Sequence, residues 1–221
     1  MSGNSDFSSF DIFGHSYPLP YDRESNQTKD RILFEATLLF AVKGYASVTI
    51  RDIAVKVGIT PGALYNHFGG KKAIWNAVLD HAERLYRLYH EHLLKEIDKV
   101  GDFNLKLLTA FREPAMMRNL FGCYAFGLVQ AEQFRDRRAG ELYNRVFIKY
   151  TVDFHKEWFD SCVKQGLADP FDTASTAMLF AISAMTAINL KVQESLGRNI
   201  HVDIGEMMES LRLIILRLAG R

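Results

Sequence analysis

Apolar residues recur three and four positions apart along most of this chain, beginning just after Thr28. Ile32, Leu33, Ala36, Leu39 and Phe40 fall on one face of a helix that Thr28 can cap. Gly44, free to take a left-handed conformation, can end it. Next, Thr49-Ile-Arg-Asp52 has capping-box spacing, and Ile50, Ile53, Ala54 and Val57 form the stripe of a short helix ending at Gly58. Thr60 then caps a third helix with Pro61 in its first position, where a missing N–H costs little. Helix, short glycine-containing turn, helix is the spacing of a helix-turn-helix. Past Lys71 the pattern stays helical. A long helix over about 71–99 is stopped by Gly101, and helices follow near 103–112, 114–135, 139–167, 172–196 and 203–219. Pro114, Gly140, Gly166, Pro170 and Gly197 mark most of their limits. No run alternates as a strand would and no repeat is evident, so the predicted fold is all-α: an N-terminal three-helix helix-turn-helix domain followed by a larger helical domain.

Residues 1–27 break the pattern. They are rich in Ser, Asn and Asp, contain Pro18 and Pro20, and read as a flexible N-terminal extension. Phe7, Phe10, Phe13, Tyr17 and Tyr21 nevertheless recur at helical spacing, so docking onto the folded body stays open. A minor-groove arm is disfavoured, because such arms use Arg or Lys and the segment offers only Arg23.

Composition adds bounds. Apolar residues at 48% and charged residues at 24% fit an ordinary soluble globular protein. A net charge of +1 hides an uneven distribution. Residues 1–27 carry one basic against four acidic residues, whereas residues 28–75 carry seven basic against three acidic, a local basic segment. Cys123 and Cys162 stand outside any metal-ligand or CxxC spacing and read as small core hydrophobes in a reducing compartment. The N-terminus lacks the basic-then-apolar signature of a secretory signal. The most apolar stretch, 177–190, is nearer core-helix length than a membrane span. A cytoplasmic location without a membrane partner is expected.

The stretch 58–68, GITPGALYNHF, carries the functional signal. A recognition helix must stand clear of the core so that its outer face enters the DNA major groove. Ile59, Leu64 and Phe68 are placed to hold it down, leaving Thr60, Pro61, Gly62, Ala63, Tyr65, Asn66 and His67 outward or on the flanks. Gly62 and Ala63 permit close approach of backbone to DNA; Tyr65, Asn66 and His67 offer hydrogen bonds. A buried helical hairpin in which Tyr65 and His67 are merely structural is the competing reading of these residues alone.

Over 28–75 the sequence resembles the DNA-binding domain of the TetR family of transcriptional regulators. The family's pattern stands here, in order and without a gap, as Thr49, Arg51, Ile53, Ala54, Gly58, Thr60, Gly62, Leu64, Tyr65, His67, Phe68 and Lys71. The resemblance implies phosphate contacts from Thr49, Thr60, Tyr65 and Lys71. It implies base or flanking-backbone contacts from Arg51, Pro61, Gly62, Ala63, Asn66 and His67. Two departures follow Phe68: Gly69-Gly70 replaces the usual polar cap, and Lys72 stands where an acidic residue is common. Lys72 is unfavourable at a helix N-terminus but can add a phosphate contact. Pro61, Gly62 and Ala63 cannot make bidentate base contacts, so sequence reading is expected to rest on Arg51, Asn66 and DNA shape.

The resemblance also divides the chain into an extension over 1–27, the DNA-binding domain over 28–75, and a ligand-binding and dimerisation domain over 76–221. A lone head binds DNA weakly, whereas two heads about 34–36 Å apart add their energies and demand a palindromic operator. Ala174, Ala177, Ala181, Ala184 and Ala187 form a small-residue stripe in 172–196, and Ile204, Met207, Met208, Leu211, Ile214, Ile215 and Leu218 make 203–219 strongly apolar. The resemblance assigns these two helices to a homodimer; plain core helices are the alternative. Among the aromatic residues of 103–159, it implies an effector cavity, for which Phe121, Tyr124, Phe147, Phe154 and Met185 are candidate lining residues favouring an apolar or aromatic small molecule.

Catalysis is not indicated. The chain has no HExxH, GxSxG or P-loop, and His90 and His92 point to different sides of a helix. No cofactor and no metal are called for. The expected function is a dimeric, effector-released repressor. The alternative is a helical small-molecule-binding protein or scaffold without specific DNA binding, which would have no reason to keep the basic segment.

Overall fold

The computed structural model describes residues 9–12, 15–18, 27–111 and 120–220. Near the N-terminus, strands Ser9–Ile12 (β1) and His15–Pro18 (β2) pair antiparallel, with Phe10 opposite Tyr17 and Ile12 opposite His15. Helical spacing of the aromatics in this stretch therefore does not correspond to a helix. The rest of the described chain is helical. Its elements are α1 (Thr28–Lys43), α2 (Ile50–Val57), α3 (Pro61–Tyr65), α4 (Lys71–Asp98), α5 (Phe103–Phe111), α6 (Leu120–Glu132) and α7 (Arg137–Leu142). A π-helical stretch (Tyr143–Tyr150), α8 (Thr151–Lys164), α9 (Thr173–Ser195) and α10 (Ile204–Leu218) complete the chain. Pro114 and the expected start of the sixth helix lie outside the described residues.

These elements form two compact units. The first takes in the chain up to Leu85 together with the described part of 115–140, so the unit that holds the head reaches past residue 75. The reason is packing on α1. That helix touches α2 on one side and α6 on another. Its buried set includes Phe34, Glu35 and Thr37 besides the expected apolar face. Thr37 satisfies its buried hydroxyl by donating to the Leu33 carbonyl at 2.8 Å. Gln27 rather than Thr28 occupies the N-cap of α1, without a capping hydrogen bond. Phe40, Tyr45 and Trp75 meet edge-on or tilted, with ring centroids 4.8–5.7 Å apart, and join the end of α1 to the first turn of α4.

The second unit contains Tyr86–Phe111 and Glu141–Gly220. Phe103, Phe159 and Phe171 form a triangle of rings with centroids 5.7–6.4 Å apart, and Phe180 of α9 meets Phe111 of α5 at 5.0 Å. α9 packs on α8 and on α10. By length and composition Thr173–Glu194 could cross a membrane, with a third of its apolar window buried here. Cys162 is a free buried thiol whose pKa is pushed up to about 11 by burial, as expected of an inert core residue.

Candidate nucleic-acid interface

Local sequence chemistry sets the head's geometry. At α2 the capping box is complete: Asp52 N–H donates to Thr49 Oγ1 at 3.1 Å, and Thr49 N–H donates to Asp52 Oδ2 at 2.8 Å. The Thr49 hydroxyl also donates to Asp52 Oδ2 at 2.6 Å. These bonds, the hydroxyl first, hold the Asp52 carboxyl below its ordinary pKa. α2 ends at Gly58, whose φ of 76° and ψ of 34° lie in the left-handed region where a side chain is costly. The turn returns at Thr60, whose Oγ1 accepts from Ala63 N–H at 3.1 Å, with Pro61 next. Ile53, Ala54, Val57, Leu64 and Phe68 are buried beneath the motif. Ile59, expected to share that role, is only half-buried.

Over this core stand Thr49, Arg51, Thr60, Pro61, Gly62, Tyr65, Asn66 and His67, all exposed, with Ala63 half-buried. Tyr65 is 55% exposed, an unusual position for a tyrosine without a partner surface. α3 has five residues, so Asn66 and His67 lie past its end. The chain continues in tight turns there, His67 N–H donating to the Leu64 carbonyl at 2.9 Å and Phe68 N–H to the same oxygen at 3.1 Å. The face thus combines hydroxyls, an amide, an imidazole and a guanidinium. That donor-rich set can bind phosphate oxygens and base edges.

The two lysines are less free than the sequence implies. Lys71 is half-buried; its Nζ donates to the Ala46 carbonyl at 3.1 Å and lies 4.4 Å from the Tyr45 ring centroid. Lys72 is exposed and pairs with Asp136 Oδ2 at 2.5 Å. The Thr49 hydroxyl proton is likewise occupied by Asp52. Tyr45 and Asp136 are the positions that sequence reading missed. Tyr45, beside Gly44, carried no motif signal, and Asp136 is 64 residues from its lysine.

The effector candidates are divided between the two units. Tyr124 belongs to the first unit, whereas Phe147, Phe154 and Met185 belong to the second; the Phe121 side chain lies outside the description. Phe147 lies against Tyr86 and Tyr143, and Phe154 against His90, Tyr150 and His155. The alanine stripe of α9 turns out to face inward: Ala177 and Ala181 are fully buried, Ala184 and Ala187 half-buried, and only Ala174 exposed. The unpaired apolar face is instead Met178, Leu179 and Ile182, with Leu213, Ile214 and Leu218 on α10. Ala177 and Ala181 pack inward beside the buried Phe180, Met185 and Ile188, leaving Met178, Leu179 and Ile182 outward.

Comparison with known proteins agrees with this geometry. Residues 32–78 match the family "Bacterial regulatory proteins, tetR family". The chain is 33% identical over 96 residues to the HTH-type transcriptional regulator TtgR of Pseudomonas putida, covering 41% of this chain and 44% of that protein. It is 40% identical over 80 residues to the HTH-type transcriptional repressor Rv3405c of Mycobacterium tuberculosis, covering 36% and 42%. These matches span under half the length of either relative. The fold as a whole is similar to the TetR family transcriptional regulator PfmR of Thermus thermophilus, with a TM-score of 0.59 at 21% identity over 89% of this chain and all of that one. A gap-free helix-turn-helix signature and a matching family model thus give residues 32–78 the DNA-binding head of the tetR family, on a chain whose fold resembles that of PfmR.

Proposed function

We propose that the protein is a DNA-binding transcriptional regulator of the repressor type. It would grip a palindromic operator as a homodimer and leave it when a small apolar or aromatic effector binds the second unit. The observation that carries this reading is the head's outer face. Arg51, Thr60, Tyr65, Asn66 and His67 are exposed together over the buried Ile53, Val57 and Leu64. Thr49, Thr60, Tyr65 and Lys71 hold phosphates, Arg51 and Asn66 read bases, and Lys72 exchanges Asp136 for phosphate at the DNA surface. Dimerisation uses the outward faces of α9 and α10, whose exposed Met178, Leu179, Ile182, Leu213, Ile214 and Leu218 would cost stability if left in water.

Selection of bound fragments from genomic DNA followed by mobility-shift titration tests the assignment. Tyr65→Phe should weaken binding about fivefold on every sequence, the worth of one hydrogen bond. Arg51→Ala should lose about 1–3 kcal/mol at one base pair and blur the selected motif there. Unchanged affinity for the first variant and an unchanged motif for the second would remove these residues from the interface.

A further inference from the structure

We propose that His155 is the polar anchor of the effector site, and that the effector is a neutral molecule whose hydroxyl donates to His155 Nε2 from an apolar or aromatic body. The proposal rests on the reading that the second unit receives the effector and names the chemistry it recognises.

His155 is 1% exposed. Its Nδ1 lies 2.8 Å from the Thr151 carbonyl oxygen, four residues earlier on the same helix. A carbonyl only accepts, so Nδ1 carries the ring proton and Nε2 presents a lone pair. That Nε2 is buried and has no hydrogen-bond partner among the described residues. A buried polar atom without a protein partner is costly to folding, and ligand sites use such atoms. Burial, with His90 nearby, lowers the imidazole pKa to about 3, so the ring meets a ligand uncharged.

The surroundings define the ligand's body. The ring stacks on Phe180 with centroids 3.9 Å apart and touches Phe154 at 5.1 Å and Trp158 at 6.1 Å. Trp158 lies one helical turn beyond His155. Its indole N–H, near the weakly accepting Cys162 thiol, is buried without a hydrogen bond to N or O. With the indole N–H turned to the Cys162 sulfur, the lone pair of His155 Nε2 is the acceptor this aromatic cluster offers, and it matches a neutral group that gives a hydrogen bond. A hydroxyl gives one. A carboxylate would set negative charge against the Nε2 lone pair, and a quaternary ammonium has no proton to give. The π-helical stretch ends at Tyr150, immediately before Thr151, whose carbonyl fixes the tautomer. Such distortions concentrate at functional sites.

The test uses the full-length protein with three probes of one shape: 4-tert-butylphenol, tert-butylbenzene and 4-tert-butylbenzoate. Calorimetry should show the phenol binding about tenfold tighter than the other two, with the advantage falling to about twofold or less in His155→Phe. Because that variant replaces a core ring, a second measurement uses wild type labelled with ¹⁵N-histidine. The unprotonated Nε2 resonance of His155 should move upfield with the phenol and stay put with the hydrocarbon. Equal affinities, preference for the benzoate, an advantage that survives His155→Phe, a static Nε2 resonance, or no binding of the phenol would each overturn the assignment. A buried water filling the site would produce the first of these. Operator binding is measured on the same samples. Its absence would indict the regulator reading, whereas intact operator binding without a hydroxyl preference would indict His155 alone.

Discussion

Lowering the pH from 7.5 to 5 should remove about 6 kcal/mol of folding stability through three histidines alone. His81, His90 and His155 are 0%, 2% and 1% exposed. Burial depresses their pKa values from 6.5 to about 3, about 4 and about 3, with Arg84, Arg87 and His90 adding smaller repulsions. Above pH 6.5 both folded and unfolded chains carry these rings neutral, and the full stability is present. Below it the unfolded chain takes up protons that the native chain refuses until pH approaches 4. Each histidine then costs about 1.4 kcal/mol per pH unit, or about 2 kcal/mol at pH 5. The total rivals the 5–15 kcal/mol typical of a whole domain. Two of the three lie in the second unit and one in the first, so the second should lose about twice as much. Urea unfolding at fixed protein concentration measures this, with fluorescence of the two tryptophans, Trp75 in the first unit and Trp158 in the second, as reporter. His90→Gln should flatten the slope by one histidine's share. A midpoint that stays level from pH 7 to 5, falling only where carboxylates titrate, would show that these rings are not held neutral by the fold.

Thr49→Ala removes both Oγ1 bonds of the capping box and should cost the head about 1 kcal/mol. An unaltered thermal midpoint would show that the box contributes nothing. Ile182→Asp with Leu218→Asp places charge on the outward faces of α9 and α10 and should yield monomers in sedimentation equilibrium at micromolar concentration. A dimer that persists would move the interface elsewhere.

Much of the head was legible because its determinants are local. Thr49 with Asp52, Gly58, and Thr60 with Pro61 each act within four residues, and each stands as its chemistry dictates. Features set by distant packing were not legible. α1 is buried well beyond one stripe because α6, about 90 residues on, covers a second side. On α9 two apolar stripes lie side by side, and periodicity alone does not say which faces the core; packing on α8 and α10 buries the one with Ala177, Phe180, Ala181, Met185 and Ile188. The occupation of Lys71 by Ala46 and of Lys72 by Asp136 depends on partners 25 and 64 residues away. Gln27 displaced Thr28 as the cap of α1 by a single residue, within the usual play of helix ends. The π-helical stretch has no glycine or proline to announce it.

That stretch also bears on how the sequence can drift. A π turn is a residue tucked into an α-helix, so Tyr143–Tyr150 holds spare length between α7 and α8. Losing one residue there lets the coil tighten while its flanks keep their orientation. The same loss inside α8 would swing every later side chain of that helix by about 100°. Shortening of this part of the gene should therefore be tolerated at 143–150 and purged from 151–164.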